Sequence, residues 1–181
     1  LTVIDPQFKF LLRRKLREIT ERFRLTVVYV THDQNEAMTF ANEVVVMKQG
    51  RVVQRGSPEQ LFEYPRTAYV GYFIGSPAMN FLPAGTDGGS LVFAGSKLRS
   101  GYDAATLPPG KLEIGVRAEY VEFVSEPGEN TLAAKVTGLL NQGSIRVVTL
   151  LVAGVPAKVS ISRGQPVPSG DVLVRLPADK I

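Results

Sequence analysis

Cysteine is missing from the sequence, and histidine occurs once among its 181 residues. The first absence excludes disulfides, thiolate metal sites and a cysteine nucleophile, and it fits a reducing compartment. The second excludes a multi-histidine zinc site. No apolar run reaches the roughly 18 residues that a membrane-spanning helix needs. The opening residues, Leu1-Thr2-Val3-Ile4-Asp5-Pro6, have neither the basic nor the apolar region of a signal peptide. They also lack an initiator Met, so the chain is expected to be a piece of something longer. The net charge of +4 permits an acidic partner but does not demand nucleic acid. With 44% hydrophobic and 21% charged residues, the chain has the material for a packed core and reads as globular.

The composition changes along the chain. Residues 1–75 hold 4 of the 17 Gly and 3 of the 12 Pro, and residues 76–181 hold the rest. The shift falls at the breaker cluster Gly75-Ser76-Pro77. Two domains are expected, an α/β part over 1–75 and an all-β part over 76–181.

The first part opens with a predicted helix, which Asp5 can cap and in which Pro6 suits the first position. Phe8, Leu12, Leu16, Ile19 and Phe23 recur at helical spacing and form one apolar stripe. The other faces carry seven Lys and Arg residues between Lys9 and Arg24, readable as a solvated face or as an anion-binding or membrane-surface face. Residues 25–31 (LTVVYVT) are β-branched and apolar on both faces, which predicts a buried parallel strand. A helix over 34–41 follows, with Asp33 as N-cap and Glu36 placed for a capping box. Residues 43–48 and 51–55 predict a hairpin around Gln49-Gly50. Short helices are expected from Ser57 to Tyr64 and from Thr67 to Ile74.

Beyond Pro77 there is no convincing helical period. Strands are predicted over 90–94, 111–117, 131–139, 144–152, 156–162 and 171–176, punctuated by Gly and Pro, the pattern of a small barrel or sandwich. An OB-type barrel that binds nucleic acid interleaves aromatics with basic residues. Here Phe93, Tyr102, Tyr120 and Phe123 are sparse and lie in no basic stripe, so a nucleic-acid partner is not expected.

His32 stands at the carboxyl end of the predicted parallel strand, where ligands of open α/β sheets bind. A structural loop histidine is the other reading of that position alone. The surrounding residues sharpen the choice. Val28-Tyr29-Val30-Thr31-His32-Asp33-Gln34-Asn35-Glu36-Ala37-Met38 resembles the switch-histidine segment of ABC-transporter ATPases, T-H-D-Q-x-E-A-M. The run from Ala41 to Gly56 is similar to that family's A-D-x-[IV]-x-V-[ML]-x-x-G-x-[IV]-x-Q-x-G, with Asn42 in place of the usual Asp. Leu1 to Asp5 looks like an altered D-loop that keeps its Asp. Gly75 to Phe81 resembles the junction to a TOBE, or OB-like, regulatory domain in the maltose, glycerol-phosphate and polyol importer class. Residues 112–119 look like the G-x-R-P-E segment of that domain, with Ala118 for Pro. There Arg117 and Glu119 read as a structural ion pair, a solvated turn or part of a regulatory site.

No G-x-x-x-x-G-K-[ST] phosphate loop or L-S-G-G-Q-like signature is present. The resemblance therefore implies an α/β C-terminal piece of a nucleotide-binding domain followed by an all-β OB-like barrel. It implies that His32 contacts the γ-phosphate and helps hold the attacking water, and that Asp5 links two ATP sites across a dimer interface. It implies ATP and Mg²⁺ as cofactors of the longer parent and none for this chain alone. The implied partners are a second copy of the chain and membrane permease subunits. The implied location is the cytoplasmic face of the membrane, with no membrane-spanning segment of its own. Two other classes remain open: a stand-alone small-ligand-binding or regulatory module, and a non-catalytic interaction protein.

Overall fold

The computed structural model describes residues 6–107 and 111–181. The chain forms two compact units, Leu1–Val70 and Gly71–Ile181.

In the first unit, α1 (Pro6–Phe23) forms where the helical spacing predicts it. Its apolar stripe is uncovered: Phe8 is 57% and Phe23 61% exposed. The predicted strand over 25–31 does not form. Those residues adopt no regular structure, and Val28 and Val30 are 87% and 91% exposed. Composition suits this segment to a strand buried on both faces, but a strand exists only where a neighbour pairs its N–H and C=O groups. None of the described strands does so.

The helix α2 (Gln34–Phe40) leads into a hairpin of β1 (Val44–Lys48) and β2 (Arg51–Gly56). Gln49 and Gly50 have φ of 51° and 74°, the left-handed pair that a two-residue hairpin turn requires. The helix α3 (Pro58–Glu63) starts at a complete capping box: Gln60 N–H donates to Ser57 Oγ at 3.2 Å, and Ser57 N–H donates to Gln60 Oε1 at 3.0 Å. Buried Gln54 of β2 grips the chain beyond α3. Its Nε2 donates to the Tyr64 carbonyl at 3.0 Å, and its Oε1 accepts from Arg66 N–H at 2.8 Å. The helix α4 (Ala68–Phe73) follows.

The second unit is antiparallel throughout. One sheet has the order β10-β9-β8-β11-β7 and the other β5-β4-β3-β6. The first comprises β7 (Glu122–Val124), β8 (Thr131–Gln142), β9 (Ile145–Val152), β10 (Val155–Ser162) and β11 (Asp171–Arg175). The second comprises β3 (Asn80–Asp87), β4 (Ser90–Phe93), β5 (Ser96–Leu98) and β6 (Leu112–Val116). Leu82, Phe93 and Val116 of one sheet meet Val148, Leu150 and Val159 of the other in a single apolar core. The sequence leaves three of these strands unread. β5 and β7 are only three residues long. β3 contains Pro83, which reads as a break. Over residues 80–84, however, β3 pairs only with β6, so its other side carries no strand that a missing N–H would offend.

The backbone ladders do not close the expected barrel; two asparagine side chains bridge the sheets instead. Asn80 takes the place of a strand against Lys158 of β10, with Nδ2 donating to the Lys158 carbonyl at 2.9 Å and Oδ1 accepting its N–H at 2.8 Å. Two residues along, Ser160 N–H donates to the Ala118 carbonyl at 2.8 Å. Asn130 does the same for Arg99, just past β5, at 2.6 and 2.7 Å, and also donates to the Leu176 carbonyl at 3.0 Å. Both asparagines are buried. Asn80→Ala is expected to cost about 1–3 kcal/mol, the penalty for leaving buried polar groups without partners. Denaturant unfolding should show a lower midpoint at unchanged slope. An unshifted midpoint would show that water replaces the amide at this seam.

Arg117 corrects the reading of residues 112–119. It is 1% exposed, and its Nη1 donates to the carbonyls of Gly71 (3.0 Å) and Ile74. These carbonyls lie at the end of α4, where a helix leaves acceptors unmet and favours a cation. Arg117 is thus a buried tie to the carbonyl end of a helix, not a solvated turn, while Glu119 is exposed. Residues 71–75 accordingly belong to the second unit, a few residues ahead of the composition shift.

Candidate functional site

The chemistry-bearing segment runs from Tyr29 to Glu36. Asp33 caps α2 as its type and position predict: Oδ1 accepts from Asn35 N–H at 2.8 Å and from Glu36 N–H at 3.4 Å. The other half of the expected capping box does not form. Asp33 N–H donates to Thr31 Oγ1 at 3.0 Å. The Glu36 side chain turns inward, where the residue is only 8% exposed.

There Glu36 collects three donors. Arg13 Nη1 of α1 reaches Oε1 at 2.9 Å. Tyr29 Oη and Thr31 Oγ1 donate to Oε2 at 3.0 and 2.9 Å. The Thr31 hydroxyl, aided by that of Tyr29 and by the Arg13 charge, holds the carboxyl below its ordinary range against the opposing effect of burial. The Tyr29 phenol moves the other way, raised by burial and by donating to Glu36. Arg17 Nη2 donates to the Phe40 carbonyl at 3.1 Å, and the Tyr29 and Phe40 rings pack with centroids 5.4 Å apart. These contacts dock α1 on α2 through its arginines, leaving the leucine and phenylalanine stripe free.

His32 projects from the middle of this arrangement and is exposed. Thr31 before it is held by Glu36, and Asp33 after it is held by Thr31 and by its own capping bonds. The arrangement presents one imidazole, able to donate or accept a proton, from a pinned turn. Asp5 lies outside the described residues. The sequence places Glu36 in a cap and Arg13 on a basic face, solvated or binding an anion or membrane surface. The spacing of Glu36 from Asp33 is a true local signal, but which way the carboxylate turns depends on Arg13, distant in sequence.

The donor set does not fit a magnesium ion. Among the described residues no group of three or more His, Asp and Glu side chains comes together. Among the described residues no helix is long and apolar enough to cross a membrane. In the second unit a shallow groove of about 570 Å³ runs along β7, β8 and β11, lined by Phe123, Ala133, Val172 and Leu173 with Asp171 at its rim.

The Glu36 cluster makes an acid-stability prediction. The native carboxyl titrates below its unfolded value of about 4.3. Its contribution is therefore present above that value and lost as pH falls through the lower native one. Hydrogen exchange over residues 29–36 should accelerate beyond the intrinsic change as pH falls below about 4.3, and Glu36→Gln should remove that pH dependence. An identical pH profile in the variant would assign the acid sensitivity to other groups.

No family model matches the chain. Individual proteins do. It is 34% identical to the sn-glycerol-3-phosphate import ATP-binding protein UgpC 1 of Rhizobium johnstonii, over 94% of this chain and 47% of that protein. It is 32% identical to UgpC of Chromobacterium violaceum, over 100% of this chain and 50% of that protein. It is 39% identical to the oligosaccharides import ATP-binding protein MsmX of Bacillus subtilis, over 63% of this chain and 29% of that protein. The chain thus spans about half the length of these two UgpC relatives. Together with the T-H-D-Q-x-E-A-M segment and its pinned histidine, these identities show that the chain belongs to the family of ABC-importer ATP-binding subunits.

Proposed function

We propose that this chain is the C-terminal portion of the ATP-hydrolysing subunit of an ABC importer for sugars, polyols or their phosphates. The observation that carries the reading is His32: an exposed imidazole on a turn fixed from both sides, within the family's switch segment. In the intact subunit His32 donates a hydrogen bond toward the γ-phosphate and helps hold the attacking water in line. Phosphoryl transfer depends mainly on positioning and charge stabilisation, so one well-placed imidazole matters. Asp5 belongs to the D-loop and links two ATP sites across a homodimer. The phosphate-binding loop and the magnesium ligands belong to the remainder of the subunit. Residues 1–75 complete the nucleotide-binding domain, and residues 76–181 form a regulatory domain of TOBE type. The partners are a second copy and the permease subunits, at the cytoplasmic face of the membrane.

The uncovered apolar side chains of α1 and of residues 25–31 support this reading. Patches of this kind find cover in other protein, and in the intact subunit segment 25–31 becomes a strand of a larger sheet. The intact gene product should bind and hydrolyse ATP with Mg²⁺ and co-purify with its permease. A product that neither binds nor hydrolyses ATP would overturn the proposal. The groove along β7, β8 and β11 favours a second reading, a small-ligand or regulatory module without ATPase activity. An intact product that binds a sugar or polyol but no nucleotide would establish it.

A further inference from the structure

We propose that Glu36 is the positioning residue for His32, and that its carboxylate ties the presentation of the imidazole to helix α1. The inference rests on the functional reading of His32 given above. Three hydrogen bonds run in series from α1 to the histidine turn: Arg13 Nη1 to Glu36 Oε1 (2.9 Å), Thr31 Oγ1 to Glu36 Oε2 (2.9 Å) and Asp33 N–H to Thr31 Oγ1 (3.0 Å). The last two bracket residue 32. Thr31 can hold Asp33 N–H only while its hydroxyl keeps one rotamer, and Glu36 fixes that rotamer by accepting the hydroxyl proton. Tyr29, two residues upstream of Thr31, is anchored to the same oxygen at 3.0 Å. Arg13 supplies the only one of these three donors to Glu36 that lies outside the segment 29–36, so a rotation of α1 is transmitted to the histidine turn through this ion pair.

The chemistry requires a carboxylate. Its two oxygens offer about four lone-pair sites, enough for a guanidinium N–H and two hydroxyls together. An amide at the same place keeps one accepting oxygen, and its NH₂ group would face either Arg13 or the two hydroxyl donors. Among the described residues no strand pairs with residues 25–31, so within this chain the tie to Glu36 rests on these side-chain bonds.

The test uses the intact subunit. Steady-state kcat and KM for ATP would be measured for the wild type, Glu36→Ala, Thr31→Val, His32→Ala and the double variant Glu36→Ala/His32→Ala. Amide exchange over residues 29–36 would be followed alongside. Glu36→Ala should lower kcat about 10-fold or more, the scale of a small misplacement of a catalytic group, while KM stays within about 2-fold. Thr31→Val should act in the same direction, and exchange at residues 31–33 should accelerate while the β1–β2 hairpin stays protected. On the His32→Ala background, Glu36→Ala should cost nothing further, because residues acting as one unit are not additive. An equal loss on both backgrounds would make Glu36 merely structural. Unchanged kcat in both Glu36→Ala and Thr31→Val, or slowed hydrolysis with unchanged exchange, would also overturn the inference. If Glu36→Ala fails to fold, Thr31→Val, which deletes a single hydroxyl, decides alone. Near-normal activity of His32→Ala would instead remove the functional reading itself, and this inference with it.

Discussion

The 181-residue chain on its own is expected to show no ATP turnover. The reason is chemical inventory. Phosphoryl transfer needs donors and cations placed around the transferring group, each such group being worth several kcal/mol. The sequence has no G-x-x-x-x-G-K-[ST] loop to cradle phosphates, and no three His, Asp or Glu side chains converge among the described residues. What remains is one exposed imidazole. A single general acid or base contributes about 10²–10⁴-fold, against the 10⁶-fold or more that enzymes typically achieve. The residual rate therefore lies far below detection in a coupled assay. Turnover that rises in proportion to the purified chain and survives repeated chromatography would refute this, and would place a nucleotide site within these residues.

In the intact subunit, His32→Ala should cut ATP hydrolysis and transport by at least about 10²-fold, roughly 2.7 kcal/mol of lost transition-state stabilisation. ATP binding should survive, since the imidazole is not expected to carry the affinity for the phosphates. The geometry makes this variant a clean probe. His32 is exposed, and the bonds that shape the turn belong to Thr31, Asp33 and Glu36. Removing the ring should leave them in place and alter chemistry without altering the fold. Near-normal hydrolysis in the variant would return His32 to the part of a loop residue.

Local features of the fold were legible because their partners sit within a few residues of one another. The helix start at Ser57, the Asp33 cap and the Gln49-Gly50 turn are all made within a span of three residues or fewer, so neighbouring residue types encode them. The candidate site was legible in part. The T-H-D-Q-x-E-A-M segment singles out His32 as a candidate, but the bonds among Thr31, Asp33 and Glu36 around it were not legible. Glu36 was read as a cap because a local partner was available. It turned instead toward Arg13, 23 residues away, where it meets a full charge together with two hydroxyls. Arg117 was open to reading as an ion-pair partner, a turn residue or part of a regulatory site, because nothing near it in sequence announces two helix-end carbonyls 46 and 43 residues away.

By itself the sequence determined the helix over α1, the hairpin around Gln49-Gly50, the all-β character of the second part and the family to which the chain belongs. Periodicity, turn chemistry and a contiguous motif carry that information without any folding. Tertiary structure alone decided which apolar segments became buried strands. Residues 25–31 have strand composition, but none of the described strands completes a ladder with them. β3 forms despite Pro83, because it needs a partner there on one side only. Tertiary structure also decided how the β unit joins its sheets. The amide of Asn80 meets Lys158 across 78 residues, and that of Asn130 meets Arg99 across 31. A side-chain amide carries the same donor and acceptor as a peptide group, so it can stand in for a strand wherever the fold brings an open edge within reach.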